Sequence, residues 1–358
     1  MAVERIPWWA WAWPALAWAV MLVTAFTGAA GIFAAAAGAV LIATVFAAVY
    51  HAEVVAHRVG EPFGTLVLAI AVTVIEVALI VSIMLGVGDK AGLARDTVFA
   101  VVMIVCNGIV GGCLLLGGAR HHEQGFQLQG ASAALAVLAA LTILTLVVPN
   151  VTTSTPGPML STSQLIFAGV VSLVLYGSFV FVQTVRHRDY FLPLEAAGEE
   201  AHATPPSARA ALISLAILIF ALIAIVGLSK ILTPALEGII GRLGAPKAVV
   251  GIAIAMIVLL PEGLAALRAA RADRLQTSLN LALGSALASI GLTIPAVAIV
   301  SIALGQQLDL GLGAKEMTLL ALTLLVGVIT LGTGRTTVLQ GIVHLVIFAT
   351  FLFLAVVP

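Results

Sequence analysis

The chain has 358 residues, of which 62% are hydrophobic and only 9% charged, with a mean hydropathy of +1.20. A soluble protein carries roughly a quarter charged residues, so most of this surface must face lipid. Sixteen basic side chains balance sixteen acidic ones, which leaves no large single-sign field and excludes nucleic acid as a partner.

At about 20 apolar residues per span, the sequence predicts eleven helices, at roughly 8–26, 30–50, 64–88, 97–119, 130–149, 164–185, 210–232, 247–268, 277–304, 317–332 and 338–357. The first carries Trp8, Trp9, Trp11, Trp13 and Trp18, which suit an interfacial aromatic belt. No cleavage site follows it, so it is expected to remain as a span. At the end of the second, HAEVVAHR (51–58) sets His51, Glu53 and His57 close together. A pH sensor or cation antechamber is one reading, with unperturbed His near 6.5; interfacial flanking residues are the plainer one. It is not HExxH, so a zinc protease has no support.

The third helix contains TVIEVAL (73–79) and with it Glu76. The fourth carries Cys106, Asn107 and Cys113. Seven residues on a helix separate the two cysteines by about 10 Å, beyond disulfide reach, so both read as packing residues. His121, His122 and Glu123 follow as a solvated loop. The segment RHRDYFLPLEAAGEEAHATPPSAR (186–209) is charged, proline-bearing and aqueous. Its Glu195, Glu199 and Glu200 suit a solvated linker. The eighth helix contains LLPE262, and the ninth a polar stripe of Ser278, Ser285, Ser289 and Thr293. His344, in the last helix, is the one His deep within a span; satisfaction by a neighbouring helix is its simplest explanation.

Loop charge sets the orientation. With the N-terminus inside, cytoplasmic segments hold Arg5, Arg58, Arg120, Arg186, Arg188, Arg209, Arg268, Arg271, Arg274 and Arg335. The other side holds Lys90, Arg95, Lys230, Arg242, Lys247 and Lys315. The positive-inside bias favours a cytoplasmic N-terminus and an outside C-terminus, and the expected location is the cell (inner) membrane.

The expected architecture is an all-α polytopic membrane protein with about eleven transmembrane helices. An additional N-terminal helix (1–28) precedes a five-helix repeat (29–185), a cytoplasmic linker (186–209) and a second five-helix repeat (210–358). Units with an odd number of spans face opposite ways, as in inverted-repeat transporters. GEPFGTLVLAIA (60–71) and GAPKAVVGIAIA (244–255) echo each other, and each leads into a glutamate, Glu76 and Glu262.

The other acidic residues (Glu4, Glu53, Glu61, Asp89, Asp96, Glu123, Asp189, Glu195, Glu199, Glu200, Glu237, Asp273, Asp309 and Glu316) fall in loops or at predicted helix ends. An ionised carboxylate at mid-bilayer costs at least ~2.5 kcal/mol and marks an ion or proton pathway. Two carboxylates at equivalent repeat positions would give hard oxygen ligands to a divalent cation. When empty they would take up protons rather than hold two charges in low dielectric. Thr73 shares the face of Glu76, and Pro261 frees a carbonyl one turn before Glu262. Asn107, Ser285 and Ser289 are the remaining candidate cation- or proton-binding groups, with helix–helix hydrogen bonding an equally good account of them.

On GEPFGTLVLAIAVTVIEVALI (60–80), NGIVGGCLLLGG (107–118) and LLPEGLAALRAARADRLQTSLNLALGSALASIGLTIPAV (259–297), the chain resembles the calcium/proton antiporters of the calcium:cation antiporter superfamily. Within that superfamily it more closely resembles the bacterial calcium/sodium:proton branch, over nearly the whole length. The resemblance implies cation binding by Glu76 and Glu262, alternating access and no bound organic cofactor. It also implies Ca2+ and H+ as the exchanged ions, with Na+ or K+ as alternatives. Relatives carry Gly-Asn shortly before each glutamate where this chain has Val72-Thr73 and Val258-Leu259. The Gly-Ser of the following helix is kept as Gly284-Ser285 but reads Asn107-Gly108 in the first repeat. The choice between calcium and sodium therefore stays open, as does assembly into a homo-oligomer. A Na+-driven exchanger is the second reading. An intramembrane enzyme is the third, and it lacks a nucleophile–base pair at depth.

Overall fold

Apolar runs in a medium without water must close their backbone hydrogen bonds internally, and a helix does so within one segment. The computed structural model describes residues 6–27, 31–60, 63–84, 91–192, 206–242, 246 and 248–357. Among these residues the chain forms eleven helices: α1 (Trp8–Thr27), α2 (Ile32–Val59), α3 (Phe63–Met84), α4 (Leu93–His121), α5 (Leu128–Asn150), α6 (Thr162–Arg186), α7 (Ala208–Arg242), α8 (Ala248–Arg271), α9 (Leu275–Leu304), α10 (Ala314–Leu331) and α11 (Val338–Val356). Nine of them, α2 and α4 to α11, are long and apolar enough to cross a membrane. The expected all-α polytopic class is what the chain adopts. Glu61, Asp89, Lys90, Glu195, Glu199, Glu200 and Lys247 lie outside the described residues.

Two helices outrun their expected ends. α2 continues through HAEVVAHR to Val59 and stops at Gly60, whose φ of 76° is costly for any residue with a Cβ. α7 runs past 232 to Arg242, through Pro234. Three helices contain a π turn, α4 at Ile104–Ile109, α5 at Ile143–Val147 and α6 at Val182–Arg186. The segment after α4, expected as loop, forms a short strand: β1 (Glu123–Gly125) pairs antiparallel with β2 (Arg335–Thr337), in the register Glu123↔Thr337.

The chain forms two compact units that interleave its halves: 1–88 with 202–250, and 89–201 with 251–358. In the first, α1 is tied to α2 and α7. Pro14 cannot donate to the carbonyl four residues back, Ala10. His51 of α2 supplies the missing donor, its Nε2 lying 3.1 Å from the Ala10 carbonyl. Trp18 Nε1 donates to the Phe220 carbonyl at 3.0 Å and stacks on the Phe220 ring, while Met21 occupies the notch at Gly227.

In the second unit α4 is the central helix. α8 runs parallel to it, with Gly251 against Thr97, Gly263 against Ile109 and Leu267 against Gly112. α11 runs antiparallel on another side, through Phe99–Phe351, Gly108–Phe348, Gly111–His344 and Gly118–Val338. Apolar side chains gain little by leaving lipid for protein, so close approach through small residues supplies the attraction. A Cβ on Gly341 would stand 2.5 Å from the Leu115 backbone nitrogen.

Candidate cation site

Glu76 lies in the middle of α3, in the first unit, and is completely buried. Thr73, one turn earlier, is 6% exposed, and its Oγ1 has no hydrogen-bond partner. Hydroxyls in apolar helices ordinarily bond back to the i−4 carbonyl, as Thr44, Thr97, Thr142, Thr145 and Ser172 do here. Thr73 departs from that habit. Ile70 and Val74 remain exposed, so α3 turns hydrocarbon outward and its carboxylate inward.

The other candidates fall in the second unit, at one depth. Glu262 of α8 is half-buried, and the next residue, Gly263, packs on Ile109 at the end of the α4 π turn. After a three-residue turn α9 runs back antiparallel, with Ser278 against Cys113 of α4. Seven residues along each helix, about 10 Å, bring Ser285 level with Cys106 and Asn107. Ser289 is buried and Ser285 half-buried. Thr293, one turn further, is fully buried with Oγ1 unpartnered. Pro261 sits inside α8 and removes the donor for the carbonyl of Ile257. Cys106 and Cys113 are buried and reduced.

Asn107 stands in the π turn and is completely buried, with its amide engaged at both ends. Nδ2 donates to Thr323 Oγ1 of α10 at 2.9 Å. Oδ1 lies 3.1 Å from His344 Nδ1 of α11. A carbonyl oxygen only accepts, so Nδ1 carries the proton, and Nε2 of the neutral ring accepts from Thr330 Oγ1 at 3.1 Å. Thr323 Oγ1 lies 3.4 Å from Met103 Sδ. His344 is thus satisfied by neighbouring helices, as expected from the sequence. That its partner is Asn107 was not legible there.

The three residues of the α2 motif separate. His51 is fully buried against α1, whereas Glu53 and His57 lie on the exposed side, one turn apart and electrostatically coupled. His121 closes α4 with Nε2 3.1 Å from the Arg271 carbonyl, and Glu123 pairs with Arg335 across the two strands at 3.4 Å. His122 and Glu123 are exposed, as the solvated reading expects, but the loop is not irregular: His121 ends the helix and Glu123 pairs through its backbone with β2.

A multi-span helical protein with buried carboxylates and unpartnered hydroxyls in its apolar helices has the makings of an ion transporter. The sequence pattern of the sodium/calcium exchanger proteins matches residues 16–185 and 213–357. The chain belongs to that family. It is 56% identical over 321 residues to an ionic transporter, y4hA, of Sinorhizobium fredii, covering 89% of this chain and 87% of that one. It is 38% identical over 316 residues to the sodium-potassium/proton antiporter ChaA of Escherichia coli, covering 87% and 85%. The fold is shared with the solved Ca2+/H+ antiporter YfkE, with TM-score 0.74, 14% identity and coverage of 98% and 99%. It is shared also with the H+/Ca2+ exchanger CAX, with TM-score 0.70, 15% identity and coverage of 96% and 87%.

Proposed function

We propose that this protein is a secondary active antiporter that moves cytoplasmic Ca2+ outward in exchange for external H+, by alternating access at Glu76 and Glu262. The complete burial of Glu76 in an apolar helix carries the reading. A carboxylate there is tolerable when it holds a proton or a cation and costly when it holds neither. Thr73, Asn107, Ser285 and Ser289 add neutral polar groups to the site, and segments 29–185 and 210–358 act as inverted repeats. Two protons neutralise both carboxylates as one Ca2+ does, so about two H+ per Ca2+ makes the exchange electroneutral. Monovalent cargo would leave the second carboxylate protonated. The N-terminus lies in the cytoplasm and the C-terminus outside, by the charge asymmetry of the loops. Glu53 and His57, at the cytoplasmic end of α2, are the groups best placed to meet an arriving cation.

The 38% identical relative is a sodium-potassium/proton antiporter, which favours Na+ and K+ as further cargo. The absence of the Gly-Asn pairs before both glutamates fits a site with fewer hard ligands. Proteoliposomes under an imposed pH gradient test both readings. Glu76→Gln and Glu262→Gln are each expected to abolish proton-coupled flux, and activity surviving in both ends the proposal. A competition series of Ca2+, Na+ and K+ at several pH values assigns the cargo. Counter-transport of cations without a pH gradient would favour a Na+-driven exchanger instead.

A further inference from the structure

Three features of the second unit converge on one side chain. The first is the π turn. In α4 the Val110 N–H reaches back five residues to Val105 rather than four. Such a turn holds one residue more than the α form, and it survives only where surrounding contacts favour it. The second is the glycine seam, where Gly108 and Gly111 let α11 approach until His344 touches α4. The third is the closed set of hydrogen bonds from Thr330 through His344 and Asn107 to Thr323. Asn107 is the group of this set that stands level with Glu262 and Ser285.

We propose that His344 and Thr323 are positioning residues of the transport cycle: they clamp the Asn107 carboxamide from both sides and so fix the π turn that presents α4 to the cation site. The proposal deepens the antiporter reading and rests on it. The tautomer is part of the device. The Nδ1–H form of His344 donates to Asn107 while accepting from Thr330, so ring tautomer and amide orientation are matched to each other. Thr323 completes that match, accepting from Nδ2 while its own proton is directed toward Met103 sulfur. Without these partners the amide is free to flip, and the π turn loses its side-chain tie to α10 and α11.

Side-chain geometry supplies a selective test. An asparagine at 344 places its amide nitrogen where Nδ1 now lies, beside Asn107. A glutamine places its own where Nε2 lies, beside Thr330. The two variants differ by one methylene in the same pocket. In proteoliposomes, His344→Asn should keep the half-saturating cation concentration close to that of the parent. His344→Gln and Thr323→Val should each raise it by about tenfold, as for one lost buried hydrogen bond, with the maximal rate changed less than the affinity. A purely structural role would lower the amount of folded protein and the maximal rate without this ordering. Equal cation affinity in the Asn and Gln variants, whether parental or weakened, overturns the proposal, as does an unchanged affinity in Thr323→Val. If a 344 variant fails to fold, Thr323→Val carries the test alone, because it is isosteric. These outcomes are separate from those of the glutamate variants. Loss of the antiporter reading shows as flux surviving without both carboxylates, and loss of this one as flux whose cation dependence ignores the clamp.

Discussion

α4 and α9 follow the two glutamate-bearing helices, occupy corresponding places in the proposed repeats, and are built in opposite ways. α9 is a regular α-helix of 30 residues whose polar stripe consists of small hydroxyls. Gly291 lies against Tyr176 and Gly169 against Pro295, so packing on α6 holds it in place. α4 breaks its own ladder with a π turn and holds a larger amide there by hydrogen bonds to two other helices. Where one copy has Gly284-Ser285, the other has Asn107-Gly108. A short side chain on a regular helix needs no support. A longer one at the same depth needs both extra backbone and partners to hold it, and α4 provides them.

The sharpest way to break this comparison is to remove one residue from each helix. Deleting Cys106 should let the five-residue turn close to an ordinary four-residue one, leaving Gly111 and Cys113 on their present faces. The protein should still fold, with transport reduced. Deleting Ala288 from α9 has no wide turn to absorb it and rotates everything beyond by about 100°. Gly291 and Pro295 would then leave α6, and no folded protein is expected. Monodispersity in detergent and thermal unfolding distinguish the two, and comparable folding of both deletions would show that the π turn is not spare length.

Next in size are substitutions at the glycine seam. Gly341→Ala drives a methyl into the Leu115 backbone, and Gly111→Ala drives one into His344 at 2.9 Å. Each should cost about 1–3 kcal/mol as an overpacked contact, seen as a lower unfolding temperature. Gly284→Ala on α9 meets nothing within 4 Å and should leave stability unchanged. A fall at 284 matching that at 341 would mean that α9 is as tightly packed as α4.

A smaller effect is expected from polar deletions. Asn107→Leu removes two interhelical hydrogen bonds and takes one partner each from Thr323 and His344, a loss of about 1–2 kcal/mol at the level typical in membranes. Ser289→Ala should change stability by less than ~0.5 kcal/mol. Any effect of Ser289→Ala should appear in cation affinity alone. Urea-free thermal shift together with flux separates the two.

How much of this could be read from the chain depends on the range of the interaction. The eleven helices were legible because a span is a local count of apolar residues, and Glu76 and Glu262 stood out because nothing charged surrounds them. The end of α2 was missed because HAEVVAHR breaks the hydropathy without breaking the helix, and only Gly60 stops it. The tie between His51 and Ala10 had a partial signal, since Pro14 necessarily strands a carbonyl four residues earlier. Which residue answers it lies 41 positions away. The π turn left no periodic trace, and Asn107 with His344, 237 positions apart, needed the α4–α11 seam to bring them together. Gly108 and Gly111 opposite Gly341 hinted at that seam without naming its partners.

The smallest effect expected is at the far end of the same seam. There β1 and β2 join the exit of α4 to the entrance of α11, and Arg335 faces Glu123 at 3.4 Å. The pair looks like a latch, but both side chains are largely exposed, 75% and 50%. Water and salt screen such a pair, so Glu123→Gln should shift stability by no more than ~0.5 kcal/mol and leave flux intact. The inward residue between them is different. Gln124 is buried, donating through Nε2 to Asp273 Oδ1 at 2.7 Å and to the Ala270 carbonyl at 3.1 Å. It thereby fastens α8 to the strands. Gln124→Leu removes both of these hydrogen bonds and should cost more than Glu123→Gln by about 1 kcal/mol. If the ion-pair variant proved the more damaging of the two, this end of α4 would be held by surface charge, and the view of α4 as a helix fixed by buried polar groups would fail where it is easiest to measure.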